Sequence, residues 1–124
     1  MSTSPKPTKA ELEMLRVLWQ LGPATAKQAH EALQAARPEA SYASVLRQLQ
    51  VMHAKGLLTR DESGRAHIYA PAEEQNSMQT SLLGDLIQKA FSGSGKALVL
   101  AALKGHVSAK ERAEIQAFLD QSKS

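Results

Sequence analysis

The hydrophobic period of this chain first changes at Gly56, and that change dictates the order of its leading elements. Upstream of it, apolar residues recur every three or four positions, as a helix facing a core requires. Just downstream they alternate, as a half-buried strand requires. A chain patterned in this way must fold several helices first and a β-hairpin after them.

The helical part is punctuated by local signals. Thr8-Lys9-Ala10-Glu11 has the spacing of a capping box, in which the hydroxyl accepts the third amide and the carboxylate reaches back. Leu12, Leu15, Leu18 and Trp19 follow at helical intervals, and Gly22-Pro23 stops the helix. Thr25 and Gln28 repeat the box and open a second helix, with Ala29, Ala32 and Leu33 expected inward and an end near Ala36. Ser41 is placed to cap a third helix, with Tyr42, Val45, Leu49 and Met52 as its buried stripe and Gly56 closing it. Residues 57–60 then read as a strand, 61–64 as a turn and 65–70 as a second strand, with Pro71 at the exit.

Three helices followed by a hairpin are the parts of a winged helix-turn-helix. The fold class expected is therefore mainly α, with a winged helix-turn-helix over residues 8–72 behind a flexible arm, 1–7. Residues 73–124 read as a helical dimerisation region. It comprises a helix over about 74–91, a break at Ser92-Gly93-Ser94-Gly95, an all-round apolar and hence buried helix at 97–103, and a last helix opened by Ser108 and Glu111. Its apolar residues Leu82, Leu83, Leu86, Ile87, Leu98, Val99, Leu100, Leu103 and Phe118 exceed what a lone tail can bury. Exposing each large one would cost roughly 1.5–3 kcal/mol, so they are expected to pair with a second copy in a homodimer.

Composition narrows the function. The chain has no cysteine, which excludes disulfides, thiolate catalysis and cysteine-ligated metals. No paired-carboxylate site, phosphate-cradling glycine loop or metal-ligand cluster is visible, so neither an enzyme nor a cofactor is expected. The histidines, at 30, 53, 67 and 106, are far apart in sequence. No apolar run approaches a membrane span and the first seven residues lack a signal-peptide core, so a cytoplasmic location without membrane insertion is expected. The net charge of +3 is unevenly placed: residues 1–70 hold nine Lys/Arg against six Asp/Glu, and the remainder balances. That asymmetry suits a polyanionic partner.

In a winged helix the third helix enters the major groove and its early residues meet base edges. Opposite the buried stripe stand Ala43, Ser44, Arg47, Gln48 and Val51. Arginine pairs with guanine, glutamine with adenine, and serine with several edges or with phosphate, while small residues at the helix start let the backbone approach. Arg60, Arg65 and His67 make the wing basic, which suits phosphate or the minor groove. Double-stranded DNA is the partner expected. The rival readings are a winged helix for protein contact and a ligand-sensing regulator. The basic residues oppose the first, and the lack of a polar cluster over 74–120 opposes the second.

Taken together, Val17-Leu18-Trp19-Gln20-Leu21-Gly22-Pro23, Ala40-Ser41-Tyr42-Ala43-Ser44-Val45, Lys55-Gly56-Leu57-Leu58, Gly64-Arg65-Ala66-His67-Ile68-Tyr69 and Phe91-Ser92-Gly93-Ser94 carry a pattern. It resembles that of the penicillinase-repressor family (BlaI/MecI/CopY type). The resemblance implies a homodimeric transcriptional repressor on palindromic operators, with DNA contacts falling on Tyr42, Ala43, Ser44, Arg47, Gln48 and Arg65. It also implies, on its own, a membrane metallopeptidase sensor in the pathway. The chain departs from the family at Ala101-Ala102, which aligns with the Asn-Phe bond cleaved in penicillinase repressors, and it lacks the cysteines of the copper-responsive branch. Ser44 and Arg47 stand where relatives commonly carry threonine, which points to a different operator.

Overall fold

The computed structural model describes residues 6–122. Most of the expected arm, residues 1–5, lies outside the described residues, as do 123 and 124. The chain divides into two units, residues 1–80 and 81–124.

In the first unit, α1 (Lys9–Leu21) starts with a complete capping box. The Glu11 amide donates to Thr8 Oγ1 at 3.2 Å, and the Thr8 amide donates to Glu11 Oε1 at 2.9 Å. It ends at Gly22, whose φ of +86° is a conformation that side chains with a Cβ resist. Thr25 and Gln28 form the second box, at the head of α2 (Ala26–Leu33). Ser41 accepts the Ser44 amide and starts α3 (Tyr42–Ala54), which turns off through Gly56 at φ +85°.

The hairpin pairs β1 (Leu58–Asp61) with β2 (Ile68–Pro71) in antiparallel register, Leu58 opposite Pro71 and Asp61 opposite Ile68. Ala24 adds a single-residue rung on the other side of β2. Its amide donates to the Tyr69 carbonyl at 2.9 Å and its carbonyl accepts the Tyr69 amide at 2.8 Å. The loop between α1 and α2 is thereby sewn to the inner strand of the wing. Met14, Leu15 and Leu18 of α1 are buried, as are Ala26, Ala29 and Leu33 of α2 and Val45, Leu49 and Met52 of α3. Leu57, Leu58, Tyr69 and Met78 complete the core. Across the hairpin's edge, the Trp19 indole donates to the Glu73 carbonyl at 3.0 Å.

Three expectations for this unit are corrected. Ala32 is exposed, because Ala26, Ala29 and Leu33 already fill the narrow inner face of an eight-residue helix. Tyr42 is 47% exposed rather than part of the buried stripe. It is the first residue of α3, beyond the edge of the core, and its ring meets His30 edge-on at 6.1 Å. The second strand begins at Ile68, three residues later than expected. Asp61 Oδ1 accepts both the amide and the hydroxyl of Ser63, a local turn that takes the chain out of the ladder.

The second unit consists of the greater part of α4 (Gln75–Ala90) with α5 (Gly95–Gly105) and α6 (Ala109–Gln121). Ser92 and Gly93, both at positive φ, make the turn out of α4, and Ser94 caps α5. Ser108 and Glu111 form the third capping box. The Arg112 guanidinium donates to the Leu103 carbonyl at 2.7 Å and so fastens α6 to the end of α5. The expectation that 97–103 is a wholly buried helix is not met: α5 contains no buried residue. Leu83, Leu86, Val99, Leu100 and Phe118 are exposed, and Leu82, Ile87, Leu98 and Leu103 are half-buried. Three helices of this length enclose too little volume to cover an all-round apolar helix.

Candidate nucleic-acid interface

The outward face of α3 carries Ala43, Ser44, Arg47, Gln50 and Val51, all exposed. The Ser44 hydroxyl donates to the Ser41 carbonyl at 2.9 Å, which leaves its lone pairs outward at the head of the helix. Arg47 makes no ion pair or hydrogen bond among the described residues. The turn before α3 is pinned from within, where His30 Nε2 donates to the Ala40 carbonyl at 2.9 Å. The turn that leads into α3 is thus held from behind by the half-buried His30.

Beside α3 runs an open groove of about 440 Å³. Tyr42, Leu46 and Gln50 form its α3 wall, Thr25, Ala26 and Lys27 its floor at the head of α2, and Arg65, Ala66, His67 and Tyr69 its wing wall. Arg65 and His67 precede β2, so strand alternation does not explain their shared side; the turn that carries them brings both to the groove. Lys27 and Gln50 were not singled out in the sequence. The signal for Gln50 was available, since it follows Arg47 by three residues on the same helix. Lys27 reaches the groove only because the Ala24–Tyr69 rung draws the head of α2 against the wing.

Two expected DNA-contact residues are engaged inside the protein. Gln48 is half-buried and its amide donates to the Ala10 carbonyl at 3.1 Å, bracing α3 against α1. Arg60 lies opposite Tyr69 on the inner face of the hairpin, with its side chain 23% exposed. Its guanidinium contacts Glu62 Oε2 through Nε at 2.8 Å and Nη2 at 2.7 Å. Glu62 and, more weakly, Tyr69 hold the Arg60 guanidinium above its ordinary range, and the same contact holds the Glu62 carboxyl below its own. Two further cations are neutralised: Arg37 by Glu13 at 2.6 Å and Lys55 by Glu11 at 2.7 Å. Arg47, Lys27 and Arg65 are left without such a partner among the described residues.

Among the described residues no group of three or more His, Cys, Asp or Glu is placed to hold a metal ion. No described helix is long and apolar enough to cross a membrane.

The geometry is similar to that of a solved structure, the solution structure of the DNA binding domain of the repressor BlaI. The TM-score is 0.52 at 24% identity, over 60% of this chain and 90% of that one. In sequence, the chain is similar to the transcriptional regulator BlaI of Mycobacterium tuberculosis, strains CDC 1551 and H37Rv. Identity with each is 32% over 89 residues, which cover 72% of this chain and 64% of the relative's length. The profile described as penicillinase repressor matches residues 7–121, from before the first capping box to the end of α6. A winged helix with its relatives among transcriptional regulators and a match over nearly its whole length, the chain belongs to the penicillinase repressor family.

Proposed function

We propose that this protein is a sequence-specific DNA-binding transcriptional repressor that acts as a homodimer on palindromic operators. The observation that carries the reading is the unpaired Arg47 on the outward face of α3, next to a groove whose other wall carries Arg65 and His67. Base edges are read by such a face and the sugar-phosphate strand is held by such a wing. Tyr42, Ala43 and Ser44 at the head of α3 lie against the same duplex.

Dimerisation through the second unit is supported by the exposed Leu83, Leu86, Val99, Leu100 and Phe118. A second copy covers that surface and sets two reading heads on one palindrome, which raises avidity without new contacts. By resemblance alone, release is governed by a membrane metallopeptidase sensor, although Ala101-Ala102 stands at the family's cleavage position.

The test is duplex binding against ionic strength together with sedimentation. The repressor reading requires affinity that falls steeply as salt rises and a dimer at micromolar concentration. Salt-independent or absent duplex binding would show instead a winged helix that serves protein contact.

A further inference from the structure

The structure places two glutamines on α3 in opposite environments. At 3.6 residues per turn, Gln50 stands about 60° round the helix from Arg47 and Gln48 about 100° round in the other direction. Gln48 is half-buried, its amide holding the Ala10 carbonyl at 3.1 Å. Gln50 is exposed, at the rim where the outward face of α3 meets the groove. Its amide makes no hydrogen bond among the described residues. Small Ala43 and Ala54 share the outward face with it.

We infer that Gln50 is a specificity-determining residue that reads an adenine edge, and that Gln48 is a positioning residue that fixes the pitch of α3 against α1. A free carboxamide offers a donor and an acceptor side by side, which matches the N7 acceptor and N6 donor of adenine in the major groove. An amide already committed to a backbone carbonyl cannot offer that pair without leaving α1. Gln50 and Arg47, one turn apart, therefore read neighbouring base pairs, while Arg65 and His67 across the groove hold the adjoining backbone. The inference rests on the repressor reading and extends it to a base and a residue.

The test is selection from a pool of random-sequence duplexes with the full chain, followed by affinity measurements on the enriched site and its single-base variants. Wild type, Gln50→Ala and Gln48→Ala are compared, and thermal unfolding is followed for each. Gln50→Ala is expected to lose discrimination at one A·T pair per half-site, by about 5- to 150-fold, with its unfolding temperature unchanged. Gln48→Ala is expected to keep the wild-type preference at that pair and to unfold at a lower temperature. If Gln50→Ala keeps the wild-type preference at every position, or weakens all sequences equally as a phosphate contact would, the inference is overturned while the repressor reading stands. If the wild-type chain enriches no sequence, both fall together.

Discussion

Lys55 Nζ lies 2.7 and 2.9 Å from the two carboxylate oxygens of Glu11, joining the end of α3 to the head of α1 across 44 residues of chain. The same carboxylate accepts the Thr8 amide. One side chain therefore completes the cap of the first helix and anchors Lys55, the residue that follows α3. Burial alone would raise the Glu11 pKa, but the Lys55 ammonium and the Thr8 amide outweigh it and hold the carboxyl below its ordinary 4.5.

The pH dependence follows from that direction. A group whose folded pKa is depressed contributes stability that is fully present above its unfolded value and is lost as pH falls through the folded value. Glu11→Ala is expected to cost about 1–3 kcal/mol at neutral pH, from the lost cap and the lost charged hydrogen bonds. Thermal unfolding of both proteins from pH 7 down to pH 2 checks this. The gap in midpoint should be widest at the neutral end and close below pH 4.5.

Arg47 and Arg65 should fail differently. Arg47→Ala is expected to weaken binding to the preferred site by about 1–3 kcal/mol and to relax base choice. Arg65→Ala should weaken all duplexes alike and reduce the salt slope by about one. Fluorescence anisotropy on specific and scrambled duplexes at several salt concentrations separates the two. An unchanged affinity for Arg47→Ala on the preferred site would remove α3 from the reading face.

Arg60 should matter less to DNA than Arg65, despite its place on the wing. Its guanidinium already holds Glu62 on the inner face of the hairpin. Arg60→Ala is expected to leave the salt slope of duplex binding near that of wild type and to show itself in hairpin stability. Amide hydrogen exchange over β1 and β2 reads that loss; a salt slope reduced as far as by Arg65→Ala would contradict it.

Charge placed on the second unit should separate the copies. Val99 is 51% exposed, so Val99→Glu does not disturb a buried core within one chain. The expected product is a folded monomer by sedimentation that keeps weak non-specific DNA binding but loses at least about tenfold in operator affinity, as avidity is lost. A dimer that survives this change would place the interface elsewhere.

The elements of the chain and its candidate interface were unequally legible in the sequence. The helix starts at Thr8, Thr25, Ser41 and Ser108 and the turn-offs at Gly22 and Gly56 were readable because a cap or a positive φ is settled within three or four residues. The exposure of Arg47 was readable for the same reason, since it lies opposite Val45 and Leu49 on one helix. The late start of β2 was harder: the Asp61–Ser63 turn competes with the ladder, and alternation alone does not say which prevails.

Sequence alone therefore determined the succession of helices, the hairpin and the position of α3, because these depend on spacing along the chain. Tertiary structure decided which polar groups on that helix and wing are free. Gln48 is bound to Ala10, 38 residues away, and Lys55 to Glu11, 44 residues away, while Lys27 is brought to the wing by the rung between Ala24 and Tyr69. Such partners are set by packing between distant segments. Which of the Gln48 and Gln50 amides stays without a partner among the described residues was therefore decided only when α1 came to lie against α3.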